Sequence, residues 1–170
     1  MSLWTPDGAD LGDGAPPKPD PRMINFAGLN GPAHAGFHEL RRQASAWPTT
    51  DSTPQGAAEL LAASRDLFVQ GYYAYALFAV GGTWSIFAVE VALRAKLGAD
   101  EKKSFAELVK TAEKQNLLPN AGWENERLDA GRKLRNNTVH GTGQELWTPA
   151  MSRTVIGASH EAVAALFSEK

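Results

Sequence analysis

The chain has no cysteine among its 170 residues. Disulfides and thiolate metal sites are therefore excluded, and the redox compartment cannot be read. Neither sign of charge dominates: 17 Lys and Arg stand against 19 Asp and Glu, a net charge of −2. No global basic field draws the protein to nucleic acid or to an anionic membrane, so any nucleic-acid contact must be local. No stretch alternates apolar and polar residues in the manner of a half-buried strand, and no segment repeats. The N-terminus lacks a basic stretch followed by an apolar core, so no signal peptide is expected and the location is expected to be cytoplasmic. What is present is apolar material: 43% of residues are hydrophobic, enough for one domain with a real core.

That apolar material includes a charge-free run from Phe68 to Val89, about the length of a membrane span. Gln70, Gly71, Gly81, Gly82, Thr83 and Ser85 interrupt it, and Glu90 follows at once. Tyr72, Tyr73 and Tyr75 crowd one end, as an interfacial belt would. The modest hydrophobicity and the amphipathic segments on both sides favour a buried helix of a soluble bundle, without membrane association.

Residues 1 to about 32 are rich in Pro, Gly and Asp, a composition that forms no core and suits a flexible or loosely docked arm. A short helix fits residues 33–46 and must stop before Trp47-Pro48. Residues 47–53 form a linker, so the chain divides into a 1–52 arm and a 53–170 bundle. Thr53-Pro54 is a helix start, and Ala57, Leu60, Leu61, Ser64, Leu67 and Phe68 keep helical period to about Gln70. A long apolar helix runs from about Tyr72 to Leu97, with Gly98 as its stop. Gly81-Gly82 either kinks this helix or lets another approach closely. Ser104 and Glu107 form a capping box that opens a helix to about Asn116. Asn120 can cap a helix from about Ala121 to Val139, ended by Gly141 and Gly143. Thr148-Pro149 starts a last helix to roughly Phe167. The expected class is all-α, most simply an up-and-down bundle with an N-terminal extension.

Leu134 to Gly141, LRNNTVHG, places weak helix formers at the end of the helix expected over 121–139. Arg132, Asn136 and His140 are four apart and share a face. Arg135 lies about 140° round from His140, and its long side chain can reach across. The exposed carbonyls of a last helical turn favour a protonated imidazole, so His140 is expected to titrate near neutrality, as a general acid or base must. Arg135 offers a planar fork of donors to a phosphate. Arg127, Arg132, Lys133 and Arg135 make the segment locally cationic against Asp129. The bland alternative pairs Arg135 with a carboxylate and leaves His140 capping the helix.

The run RNNTVH, Arg135 to His140, resembles the Arg-Asn-x-x-Val-His motif of HEPN domains, helical bundles that carry it late in the chain on a long helix. FAVEVALRAKLG, residues 87–98, is similar to the second-helix pattern of one branch of that family. The resemblance would cover residues 54–168. It implies a metal-independent endoribonuclease, of the kind found among toxins and antiviral defence effectors, that needs no cofactor. Arg135 would steady the scissile phosphate, His140 would be the acid/base, and Asn136 would orient one or the other. Arg127, Arg132 and Lys133 would contact RNA. The nucleophile would be the RNA 2′-hydroxyl, and a homodimer would supply two histidines to one cleft. An antitoxin or defence-system protein is the further partner implied. Thr142 stands where some toxin members carry a modifiable tyrosine, which speaks against that route of control. Non-catalytic HEPN domains serve as dimerisation or binding modules, and the near-neutral charge keeps that alternative open.

Other constellations carry less. His34 and His38, with Glu39 beside them, could be half a metal site on a helix, but Ala35 stands where a zincin's glutamate would be and no further ligands cluster, so no metal is expected. His160 reads as an ordinary helix residue. Glu90, amid apolar neighbours, is expected to be buried and to need a cation such as Arg132 or Arg135, in a supporting role. Trp84, Trp123 and Trp147 are expected in the core or at an interface rather than as base-stacking platforms.

Overall fold

The computed structural model describes residues 18–23, 36–100, 102–118 and 147–168. Every regular element among them is helical: α1 Phe37–Ser45, α2 Gln55–Gln70, α3 Leu77–Leu97, α4 Phe105–Lys114 and α5 Pro149–Phe167. Residues 21–23 add one helical turn. The all-α class is thus observed among the described residues.

Local chemistry sets most of the ends. Thr148 Oγ1 accepts from the Met151 N–H at 3.1 Å, and Pro149 occupies the first helical position of α5. The Ser104–Glu107 capping box is formed in both directions. Gly98 closes α3 in the left-handed region, at φ 58°, where a Cβ would be strained. Asn116 ends α4 in the same way at φ 52°, and the Leu117 N–H donates to the Ala112 carbonyl.

The start of α3 differs from expectation. Residues 72–76 form turns rather than helix. The reason is an interaction from far up the chain: Asp20 donates its backbone N–H to the Tyr72 carbonyl, and its Oδ2 accepts from the Tyr75 N–H at 3.0 Å. This carboxylate satisfies a donor at the mouth of α3, the task of an N-cap performed by a residue distant in sequence.

The α3 helix is the centre of the molecule, with α2 on one side and α5 on another. Gly81 and Gly82 do not break it; they admit neighbours. A Cβ at Gly81 would lie 3.1 Å from the Ser64 carbonyl oxygen of α2, and one at Gly82 would lie 2.2 Å from the Trp147 ring. Contacts of Gly56 with Val91 and of Gly81 with Leu67 show α2 and α3 antiparallel. By contrast, the Ser152 hydroxyl donates to the Phe78 carbonyl at 3.0 Å, and Ser159 Oγ lies 3.1 Å from Ser85 Oγ. Both pairs share one offset along the chain, so α3 and α5 run parallel. The ten-residue α4 is too short, at about 15 Å, to serve as a full layer.

Two apolar clusters result. The larger joins α2, α3, α4 and α5 around Ile86, Val89, Leu93, Leu108 and Trp147. The smaller gathers Met23, Leu40, Ala44, Phe68, Tyr75, Phe78 and Ile156. It therefore takes side chains from both sides of the 47–53 linker, so residues 18–23 and α1 pack as part of the folded body. By length and composition α3 could cross a membrane, and most of it is buried inside the bundle.

Candidate functional site

Arg127, Arg132, Lys133, Arg135, Asn136 and His140 lie outside the described residues, as do Trp123 and His34. The two described residues that flank this stretch are both anchored. Leu118 is 8% exposed and Trp147 is fully buried, and both belong to the larger cluster. The Trp147 ring lies against Gly82, in the second turn of α3. The segment carrying the RNNTVH run therefore leaves and rejoins the same core.

Glu90 departs from its expectation. Its side chain is partly exposed rather than buried, and its cation is Arg94, with Nη2 2.7 Å from Oε1. The physical reason is helix geometry: Glu followed four residues later by Arg is the favoured intrahelical pair, formed without any help from another helix. Arg94 also donates to the Asp100 carbonyl at 2.7 Å and to the Lys103 carbonyl at 2.9 Å. The pair therefore ties the end of α3 to the turn that launches α4.

Trp84 is 40% exposed, whereas Trp147 is core. His38 is exposed on α1 and makes an edge contact with Phe37.

The polar cluster that the sequence reading missed is at His160. This residue sits on the buried stripe of α5 and is fully buried. Its ring stacks on Trp47 at 5.5 Å between centroids and 24° between planes. Its Nδ1 lies 3.0 Å from the Pro48 carbonyl. A carbonyl only accepts, so Nδ1 carries the proton and the neutral ring presents Nε2 as an unprotonated nitrogen. Nε2 makes no hydrogen bond of ordinary geometry among the described residues, although the Leu61 carbonyl lies near the ring. Burial lowers the His160 pKa to about 4, and the Arg65 cation adds to this; the Pro48 and Leu61 carbonyls oppose it. Arg65 in turn donates from Nη2 to the Trp47 carbonyl. The Trp47 indole lies against Gly157 of α5, where a Cβ would come within 2.9 Å of Nε1. One signal was available: His160 stands four residues after Ile156 and three before Val163, in step with the buried stripe. Its burial removes it from contact with a dissolved substrate, so this imidazole binds structure together rather than moving protons for a reaction.

Around Asp20 the chemistry is also structural. Arg22 engages both carboxylate oxygens, at 2.9 and 2.8 Å, and its guanidinium lies 4.5 Å over the Tyr75 ring. The Arg22 hydrogen bonds hold the Asp20 carboxyl well below the usual carboxylate range, against the opposing effect of burial.

Compared with protein-family models, curated proteins and solved structures, the chain finds no match.

Proposed function

We propose that the protein is a HEPN-like endoribonuclease that cleaves RNA without a metal, acting as a homodimer in a toxin or defence setting. The observation that carries this reading is the run Arg135-Asn-Asn-Thr-Val-His140, late in a chain whose described elements are all helices and directly before Gly141. Its supports are the long apolar α3 packed against α2 and the anchoring of both flanks of the motif segment in one core.

In this reaction the 2′-oxygen of a ribose attacks the adjacent phosphorus and the 5′-oxygen of the next nucleotide leaves. The 2′-hydroxyl proton passes to a base, an acid protonates the leaving oxygen, and the products are a 2′,3′-cyclic phosphate and a 5′-hydroxyl end. The nucleophile belongs to the substrate, so the protein need supply only proton transfer and stabilisation of the developing charge. His140 serves the first need, Arg135 the second, and Asn136 orients them. One imidazole cannot be base and acid in the same step, so two chains contribute one each. Arg127, Arg132 and Lys133 provide the local positive charge that a net charge of −2 does not.

The test is incubation of wild type, His140→Ala and Arg135→Ala with RNA in chelator. Cleavage by wild type alone, with cyclic-phosphate ends, is the expected result. A fall in rate of 10²-fold or more is the magnitude expected for loss of a positioned acid/base. Absence of cleavage by a folded, dimeric wild type would reject catalysis and leave the binding-module reading, with which the near-neutral charge is compatible.

A further inference from the structure

We infer that His160, Arg65 and the Trp47–Pro48 segment form an acid-released latch that holds α1 and residues 18–23 against the helical bundle. The inference is independent of the ribonuclease reading.

The latch has three fastenings on two consecutive residues. From α2, Arg65 donates to the Trp47 carbonyl. From α5, His160 Nδ1–H donates to the Pro48 carbonyl at 3.0 Å. Between them the Trp47 indole is stacked on His160, packed edge-on against Phe68 at 5.1 Å, and seated on Gly157. Downstream of the latch the chain enters the bundle proper; upstream lie α1 and residues 18–23. These upstream pieces share the smaller cluster with Phe68, Phe78 and Ile156. Residues 47–48 are thus the point at which the N-terminal part of the fold is pinned to the rest.

The charges around the imidazole make this pin sensitive to acid. The residues of the 46–48 segment contribute an indole and carbonyls, and the buried face of α3 contributes hydroxyl and apolar groups. On α1, Glu39 is engaged by Arg42 and Gln43, and Arg41 is exposed. On α5 itself, Glu161 is exposed. The fixed charge acting on the ring is the Arg65 cation of α2, whose own neighbour Asp66 is exposed. Protonation would therefore place a second cation beside Arg65, away from water and with no carboxylate to balance it. A released segment avoids this by exposing the ring to solvent, so protons bind preferentially to the released state.

The direction follows from linkage. The docked ring has a pKa of about 4 against the ordinary 6.5. Docking is undiminished above 6.5 and weakens as pH falls from there towards 4. Between pH 7 and pH 5 the released-to-docked ratio should rise about twentyfold.

Hydrogen exchange followed by mass spectrometry on the full chain tests this, with rates corrected for the intrinsic effect of pH. Wild type should lose about twentyfold of its protection in residues 37–46 between pH 7 and pH 5, while the middle of α3 keeps its own. His160→Asn, whose amide can still donate to Pro48 but does not titrate, should change less than twofold. Unchanged wild-type protection, an equal loss in His160→Asn, or an equal loss in α3 would overturn the latch. If His160→Asn does not fold, imidazole nitrogen NMR of wild type decides: His160 still neutral at pH 5.5 supports the inference, and a midpoint near 6.5 in the docked state refutes it.

Discussion

A methyl group added at Gly82 would stand 2.2 Å from one Trp147 ring carbon and 2.5 Å from another. Neither α3 backbone nor a fully buried indole can yield that distance cheaply. Gly82→Ala is therefore expected to destabilise the fold by roughly 1–3 kcal/mol despite its better helix propensity. Urea denaturation checks this, and Trp147→Leu in the same chain should recover part of the loss, because the two sites share one contact. Asp20 makes a different residue-scale prediction. Its carboxyl is held below the ordinary value of 3.8, so its contribution to docking is complete above that value and is lost as pH falls further. The Tyr75 amide of wild type should then lose further protection between about pH 4 and pH 2, beyond the loss that release of residues 18–23 brings at higher pH. In Asp20→Asn the protection should be lower at the start and change little over that interval.

Among the elements, the corner between α3 and α4 shows how one side chain can outweigh its partner. Glu90→Gln removes an i,i+4 ion pair that is partly exposed, and a loss of about 0.3–1 kcal/mol is expected. Arg94→Ala also strips the Asp100 and Lys103 carbonyls of a donor, and should cost more, roughly 1–2 kcal/mol, by the same denaturation measurement. Elements whose ends are set by neighbours in sequence were legible: Thr148-Pro149, Ser104 with Glu107, and Gly98 each do their work within a turn. The start of α3 was not, because the group that organises Tyr72–Tyr75 is Asp20, in a segment whose composition suggested only an arm. Glu90 shows the opposite failure. A partner one turn away on its own helix was overlooked in favour of distant arginines. His160 could be placed on the buried stripe by its spacing, but its stacking on Trp47 depends on how α1 and its linker fold back, which no local pattern states. The candidate site itself, Arg135 to His140, was legible as a motif, and its residues lie outside those described.

At the scale of the whole molecule, the parallel packing of α3 and α5 joins residues distant in sequence through Ser85, Ser152 and Ser159. The catalytic proposal adds a second copy: equilibrium sedimentation should give a dimer, and mixing His140→Ala with Arg135→Ala chains should restore part of the cleavage if each cleft draws on both partners. The anchoring of Leu118 and Trp147 in one cluster has a separate consequence. A protease cut anywhere in 119–146 would sever the covalent path yet leave each fragment rooted, through Leu118 or Trp147, in shared apolar packing. The nicked protein should therefore elute as one body in native chromatography and come apart only in denaturant, which makes this chain a natural scaffold for two-piece reassembly.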